Sequence, residues 1–259
     1  MCLIAFAWDA HPDYALVVIA NRDEYHARPT ASLAPWTDAP QVLGGRDLKE
    51  GGGWLALRSE RPKLVAVTNV REPLPTTPKR SRGALVRDFI TEQGCAASFA
   101  ERHRIAGDHY AGFNLLLWDG EELIYETNRP TPHWESVTAG VYGISNGAFD
   151  PPWPKTQRLT QRLKTLLTEM PRGTAPALDP LFAALADEQQ APDAEVPQTW
   201  VGFERERQLS SAFIRLPGYG TRASSVVLIG RDGKGLFAER SFDGEGALAG
   251  EHSETFAFR

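Results

Sequence analysis

Cysteine, metal-binding motifs and long apolar runs are what this sequence mostly lacks. It holds two cysteines, Cys2 and Cys95, in 259 residues. Two thiols supply no disulfide framework, so a reducing, cytoplasmic location is the expectation. Cys95 lies in Gln93-Gly94-Cys95-Ala96, between two expected helices, and reads as a packing residue. The six histidines are scattered. None has His-Glu-x-x-His spacing and no Cys-x-x-Cys-His run occurs, so no metal site is assigned. The opening apolar run ends at Trp8 and has no basic residue ahead of it, which fits neither a membrane span nor a standard signal peptide. No Lys/Arg-dense run offsets the net charge of -5, so a nucleic-acid partner is not expected. The glycines at 44, 45, 51, 52 and 53 lack phosphate-loop spacing and read as turn glycines. No repeat, low-complexity tract or linker divides the chain, and nothing in it specifies an oligomeric state. One domain over 1–259 is expected.

What is present begins at the second residue. Cys2 opens an apolar strand, Cys2-Leu3-Ile4-Ala5-Phe6-Ala7-Trp8. If the initiator methionine is removed, Cys2 carries a thiol and a free α-amine on neighbouring atoms. The amine has a pKa of about 7.7 to 8.0 and the thiol about 8.5, so a proton passes between them at little cost near neutral pH. That is the chemistry of N-terminal-nucleophile hydrolases, in which the amine serves as the base and no distant histidine is needed. Turn formers over Asp9 to Asp13 and a second apolar run, Tyr14 to Ala20, make a β-hairpin. Antiparallel pairing then returns Asn21-Arg22-Asp23-Glu24 to the start of the first strand, beside Cys2.

Further strands are expected at Trp54 to Arg58, Lys63 to Asn69, Asn114 to Trp118, Leu123 to Thr127, Trp134 to Val137 and Val141 to Ser145, with the last two continuing the same sheet. Helices are expected after Ser81, through Leu85, Val86, Phe89 and Ile90, and over Ser98 to Ala106, Lys155 to Met170 and Leu178 to Asp187. Leu159, Leu163, Leu166 and Leu167 form one apolar stripe. Glu72 to Pro78 reads as a proline-rich surface loop and Glu188 to Gln198 as an irregular excursion. Strands over Ser224 to Ile229, Gly235 to Phe242 and Glu254 to Phe258 close the chain. Strands that are apolar at consecutive positions need burial on both faces. Strands at both ends and helices in the middle therefore predict an α+β arrangement of two stacked sheets between helical layers.

The Asn-Arg-Asp-Glu tetrapeptide and the Met-Cys-Leu-Ile start resemble the NRDE family, also called the transport and Golgi organisation family. Gly51-Gly52-Gly53-Trp54-Leu55-Ala56, Thr68-Asn69-Val70-Arg71, Ser81-Arg82-Gly83, Ile144-Ser145-Asn146 and Gly220 to Val226 extend the resemblance over nearly the whole chain. The family is similar to choloylglycine hydrolases and penicillin V acylases, which implies a four-layer αββα sandwich of the N-terminal-nucleophile hydrolase type.

On that resemblance the chain is a candidate cysteine amidohydrolase acting on a small N-acyl or related amide, with no cofactor. Cys2 attacks, Asp23 orients its amine, Asn69 and Asn146 stabilise the oxyanion, and Arg222 polarises the thiol or holds an anionic substrate. Asn21, Arg22, Glu24 and Arg71 are candidate substrate contacts. The acylase relatives place an arginine first in the tetrapeptide, whereas here Asn21 is first and Arg22 second. Side chains alternate along a strand, so this shift is expected to turn the guanidinium from the thiol unless a bulge restores it. Asn21 and Asp23 share one face, Arg22 and Glu24 the other. The alternative is a non-catalytic carrier of haem or another hydrophobic ligand such as acyl-CoA, following functions linked to the NRDE family. For iron, His26, His103, His109, His133 or Cys2 are the available ligands.

Overall fold

A computed structural model describes residues 2–73, 79–173 and 176–258, with the side chains of 105 and 106 excluded. The fate of Met1, and 74–78 of the loop expected over Glu72 to Pro78, lie outside the described residues. The first half runs β1 (Cys2–Trp8), β2 (Tyr14–Tyr25), β3 (Thr30–Trp36), β4 (Ala39–Asp47), β5 (Leu55–Arg58), β6 (Lys63–Asn69), α1 (Gly83–Thr91), α2 (Ala96–Ala106), β7 (Phe113–Trp118) and β8 (Leu123–Thr127). It continues through β9 (His133–Ser136), β10 (Gly140–Ile144), α3 (Pro154–Glu169), α4 (Asp179–Leu185), α5 (Phe203–Gln208), β11 (Arg215–Leu216), β12 (Tyr219–Gly230), β13 (Lys234–Phe242) and β14 (Leu248–Ala257).

Two antiparallel sheets result. One has the order β10-β1-β2-β12-β13-β14 with β11 beside β12; the other runs β3-β4-β5-β6-β7-β8-β9. The period of two along a strand sorts each side chain. Leu3, Ala5 and Ala7 of β1, with Val17 and Ile19 of β2, pack under Leu159, Leu163, Leu166 and Leu167 of α3 and Leu181, Phe182 and Leu185 of α4. Ile4, Phe6, Leu16, Val18 and Ala20 point the other way, into the core shared with the second sheet. Leu85, Val86, Phe89 and Ile90 of α1 join that core, and α1 contacts β5 and β6 while α2 contacts β8 and β9. The protein is thus an α+β sandwich with helices outside both sheets. Among the described residues, no helix is long and apolar enough to cross a membrane.

Several expectations need correction. Val141 to Ser145 does not continue the sheet of its predecessor: β10 crosses over and pairs with β1, with Ile4 opposite Ile144. Cys95 is exposed rather than packed, at the cap of α2 with its thiol 3.4 Å from Ser98 Oγ. Gly44 and Gly45 are strand residues of β4, not turn residues. The Trp54 ring occupies the space where a Cβ on Gly45 would stand. A Cβ on Gly52 would stand 2.4 Å from the backbone of Gly83, and Gly53 N–H donates to Gly83 O at 3.4 Å. That contact holds the start of α1 against the segment between β4 and β5. Ser81 Oγ accepts the Gly83 N–H at 3.3 Å, one position ahead of the formal cap. Gly45→Ala is expected to destabilise the protein by about 1–3 kcal/mol by displacing Trp54, read as a lower urea midpoint with unchanged slope.

Candidate active site

A cleft of about 740 Å³ opens where β1 begins and where β2 and β6 end. Cys2, Arg22, Asp23, Glu24, Asn69 and Arg71 all line it. The hairpin register puts Cys2 directly opposite Arg22, and cross-strand partners point to the same face. The expected turning away of Arg22 is therefore overturned. The Arg22 guanidinium stands 4.5 Å from the Trp54 ring centre, donates to Thr30 Oγ1 at 3.1 Å and lies 3.9 Å from Glu24. A bulge does exist, but in the partner strand. On β12, Thr221 faces Asp23 and Ala223 faces Arg22, so Arg222 is the extra residue between them.

At that bulge Arg222 stands outside the cleft lining. Its guanidinium donates to the carbonyls of Tyr25, His26 and Arg28 at 3.1–3.3 Å, tying down the turn after β2 rather than lining the cleft. Asn21 is also withdrawn. It is buried on the helix side, donates to Leu185 O and Ala212 O, both at 2.8 Å, and accepts from Ser224 Oγ at 2.6 Å. With its amide engaged on both ends, Asn21 joins β2 to α4 and is not among the residues that line the cleft.

Asp23 is buried against β12, where Thr221 Oγ1 donates to it at 2.7 Å. Burial pushes its carboxyl up from the ordinary value, while the ammonium of Lys155 pulls it back. Lys155, in the first turn of α3, is 2% exposed and donates to Leu209 O at 2.9 Å. Burial lowers its pKa to about 8, with Asp23 opposing. The Cys2 thiol is raised by burial and by Asp23, and lowered by Arg22. Tyr219, also in the cleft wall, is held well above its usual value by burial.

Asn69 ends β6 and faces the cleft, but Asn146 stands behind it. Asn146 Nδ2 donates to Asn69 O at 3.0 Å, and its Oδ1 accepts from Arg71 at 3.3 Å. Asn146 thus positions Asn69 and Arg71 from beneath, whereas the expectation had both amides reach the substrate. Arg71 is ion-paired with Glu206 of α5 and lies 5.1 Å from the Trp153 ring centre; burial lowers its pKa to about 10.

Lys155, Glu206 and Tyr219 were not found from sequence. Lys155 had a usable signal: it stands one turn ahead of Leu159 and two ahead of Leu163 on the buried stripe of α3, where a cation is out of place. Glu206 had none, because α5 is a six-residue charged helix. Among the described residues, no group of three or more His, Cys, Asp or Glu is placed to hold a metal.

The sequence model of the family described as Transport and Golgi organisation 2 matches residues 1–244. The chain belongs to that family. It is 35% identical over 260 residues to the Transport and Golgi organization protein 2 homolog of Homo sapiens, covering 93% of each chain. Identity is 36% over 265 residues with the homolog of Bos taurus and 28% over 264 residues with Transport and Golgi organization protein 2 of Drosophila melanogaster. Cys2, the tetrapeptide, Asn69 and Asn146 all lie within the family match.

Proposed function

We propose that this chain, once Met1 is removed, is an amide hydrolase of the N-terminal-nucleophile type. The carrying observation is that Cys2 lines a cleft shared with Asp23 and Asn69. Two stacked antiparallel sheets with outer helices agree with the αββα sandwich that the resemblance implies.

Cys2 Sγ attacks the amide carbonyl carbon and its proton passes to the Cys2 α-amine. Asn69 donates to the developing oxyanion, held in place by Asn146. The C–N bond breaks as the α-ammonium returns the proton to the leaving amine, leaving a thioester. Water then attacks the thioester, its proton taken by the amine, and the acid and free thiol are released. Asp23 orients the ammonium, and Lys155 favours the ionised form of Asp23. The test is hydrolysis of a panel of N-acyl p-nitroanilides. Cys2→Ala should abolish turnover and Asn69→Ala should lower kcat about 10²–10³-fold; no turnover by a processed, folded wild type would reject the reading.

A carrier of an amphiphilic ligand is the second reading. It is favoured by Tyr25 and Trp200, two cleft-lining aromatics that are 62% and 54% exposed. Haem is the poorer form of that ligand, since among the described residues His26, His103, His109 and His133 all stand outside the cleft lining and Cys2 is its one soft donor. Saturable acyl-CoA binding that persists in Cys2→Ala, without hydrolysis by wild type, is the result this reading predicts.

A further inference from the structure

The chain carries a net charge of -5, yet the cleft is lined by seven basic and five acidic side chains among the described residues. Most of the basic ones are matched. Arg22 and Arg28 face Glu24, Arg28 also binds Asp47, Arg71 binds Glu206, and Arg80 reaches Asp88 at 3.5 Å. Arg82, Lys79 and Arg205 have no carboxylate within 4.0 Å among the described residues. Lys79 is spent on Asp108 O at 2.7 Å and Arg205 on Gln208 at 3.2 Å, both exposed contacts.

Arg82 differs from those two. It caps α1, and among the described residues its guanidinium makes one hydrogen bond, a partly buried one to Gly112 O at 3.1 Å. A guanidinium has five N–H donors in a fork shaped for an oxoanion. The start of α1 adds its positive dipole end to the same wall, where Gly83 and Cys2 both line the cleft. Glu24 and Glu72 attract Arg82 electrostatically, but neither forms an ion pair with it; holding a cation partly out of water without a directly bonded anion is unfavourable, and a ligand that supplies one offsets that cost.

We infer that Arg82 is an anion-binding subsite of the cleft, so that the ligand entering beside Cys2 carries a carboxylate or phosphate group. This rests on the proposed hydrolase reading only in calling that ligand the substrate; the subsite itself can be measured without turnover.

Two reagents with the same leaving group provide the measurement, anionic iodoacetate and neutral iodoacetamide. Their alkylation rates are followed by peptide mass at Cys2 and, as an internal reference, at the exposed Cys95. The iodoacetate-to-iodoacetamide rate ratio at Cys2 should exceed that at Cys95 about tenfold at low salt, and fall with ionic strength. Arg82→Gln should bring the two ratios to within about twofold, and Arg82→Lys should keep most of the preference. Inorganic phosphate and acetate, added separately, should each slow iodoacetate at Cys2 and not at Cys95, and the more effective of them identifies the class of anion. Phosphate should also raise the Tm of wild type and not of Arg82→Gln, a readout that does not need a reactive thiol. Equal ratios at the two cysteines, or a Cys2 preference that survives in folded Arg82→Gln, overturn the subsite; where Cys2 resists both reagents, an equal phosphate shift in wild type and variant does so. A retained anion preference without amide hydrolysis would instead remove the hydrolase reading and leave the subsite standing.

Discussion

A form of the protein that keeps one residue ahead of Cys2 is expected to fold normally, retain its thiol and hydrolyse amides about 10²–10⁴-fold more slowly than the processed form. The reason is local. An added residue turns the α-amine of Cys2 into an amide nitrogen, which neither accepts the thiol proton nor protonates the leaving group. No histidine lines the cleft among the described residues to replace it, and Lys155 is tied to Leu209 O beneath Asp23. Cys2 pairs with Arg22 through the backbone ladder, so one more residue at the start of β1 leaves the hairpin in register. The comparison is a kcat measurement on two purified forms of verified mass. Equal rates would show that the base lies elsewhere.

Glu126→Gln is expected to stabilise the protein, and increasingly so as pH rises. Glu126 sits in β8 between Leu115 and Trp134, on the side that α2 covers. It is 1% exposed, and neither carboxylate oxygen has a hydrogen-bond partner among the described residues. Burial raises its pKa to about 8, against about 4.3 for an unfolded glutamate. Between those values the folded protein holds a proton that the unfolded chain has released. Stability from this group is therefore fully present below the unfolded pKa and declines by up to about 1.4 kcal/mol per pH unit until the folded pKa is reached. Wild type and Glu126→Gln should unfold alike in urea near pH 4 and differ by about 3 kcal/mol near pH 7. Other buried acids, Asp23 and Glu239 among them, contribute equally to both proteins, so the difference isolates Glu126. Parallel stability profiles would mean that the carboxyl is solvated or paired.

The first hairpin was legible because its cues are local: two apolar runs, a turn, and a tetrapeptide whose return beside Cys2 follows from antiparallel pairing. The helices α1 and α3 were legible for the same reason, through apolar stripes of regular spacing. What failed depends on partners distant in the chain. The bulge at Arg222 is a mismatch between β12 and β2, and neither strand alone reveals it. Gly44 and Gly45 looked like turn residues because what demands the space lies further along the chain: Leu55 and Ala56 of β5 beside Gly44, and the Trp54 ring just ahead of β5 beside Gly45. The Arg71 to Glu206 pair spans 135 positions, and α5 is too short and too charged to show an apolar face. Arg22 was misjudged by comparison with a different register, whereas its cross-strand partner places it beside the thiol. Of the candidate residues, Cys2, Arg22, Asp23, Glu24, Asn69 and Arg71 meet in one cleft, Asn146 supports two of them, and Asn21 and Arg222 hold the backbone around it.

The most direct test is the mass of the N-terminal peptide after the purified protein has reacted with an electrophilic acyl probe. The account predicts a peptide that begins at Cys2 and carries one acyl group on that residue, absent when the folded protein is first alkylated. A peptide that still begins with Met1, or a processed peptide that remains unacylated, would contradict it.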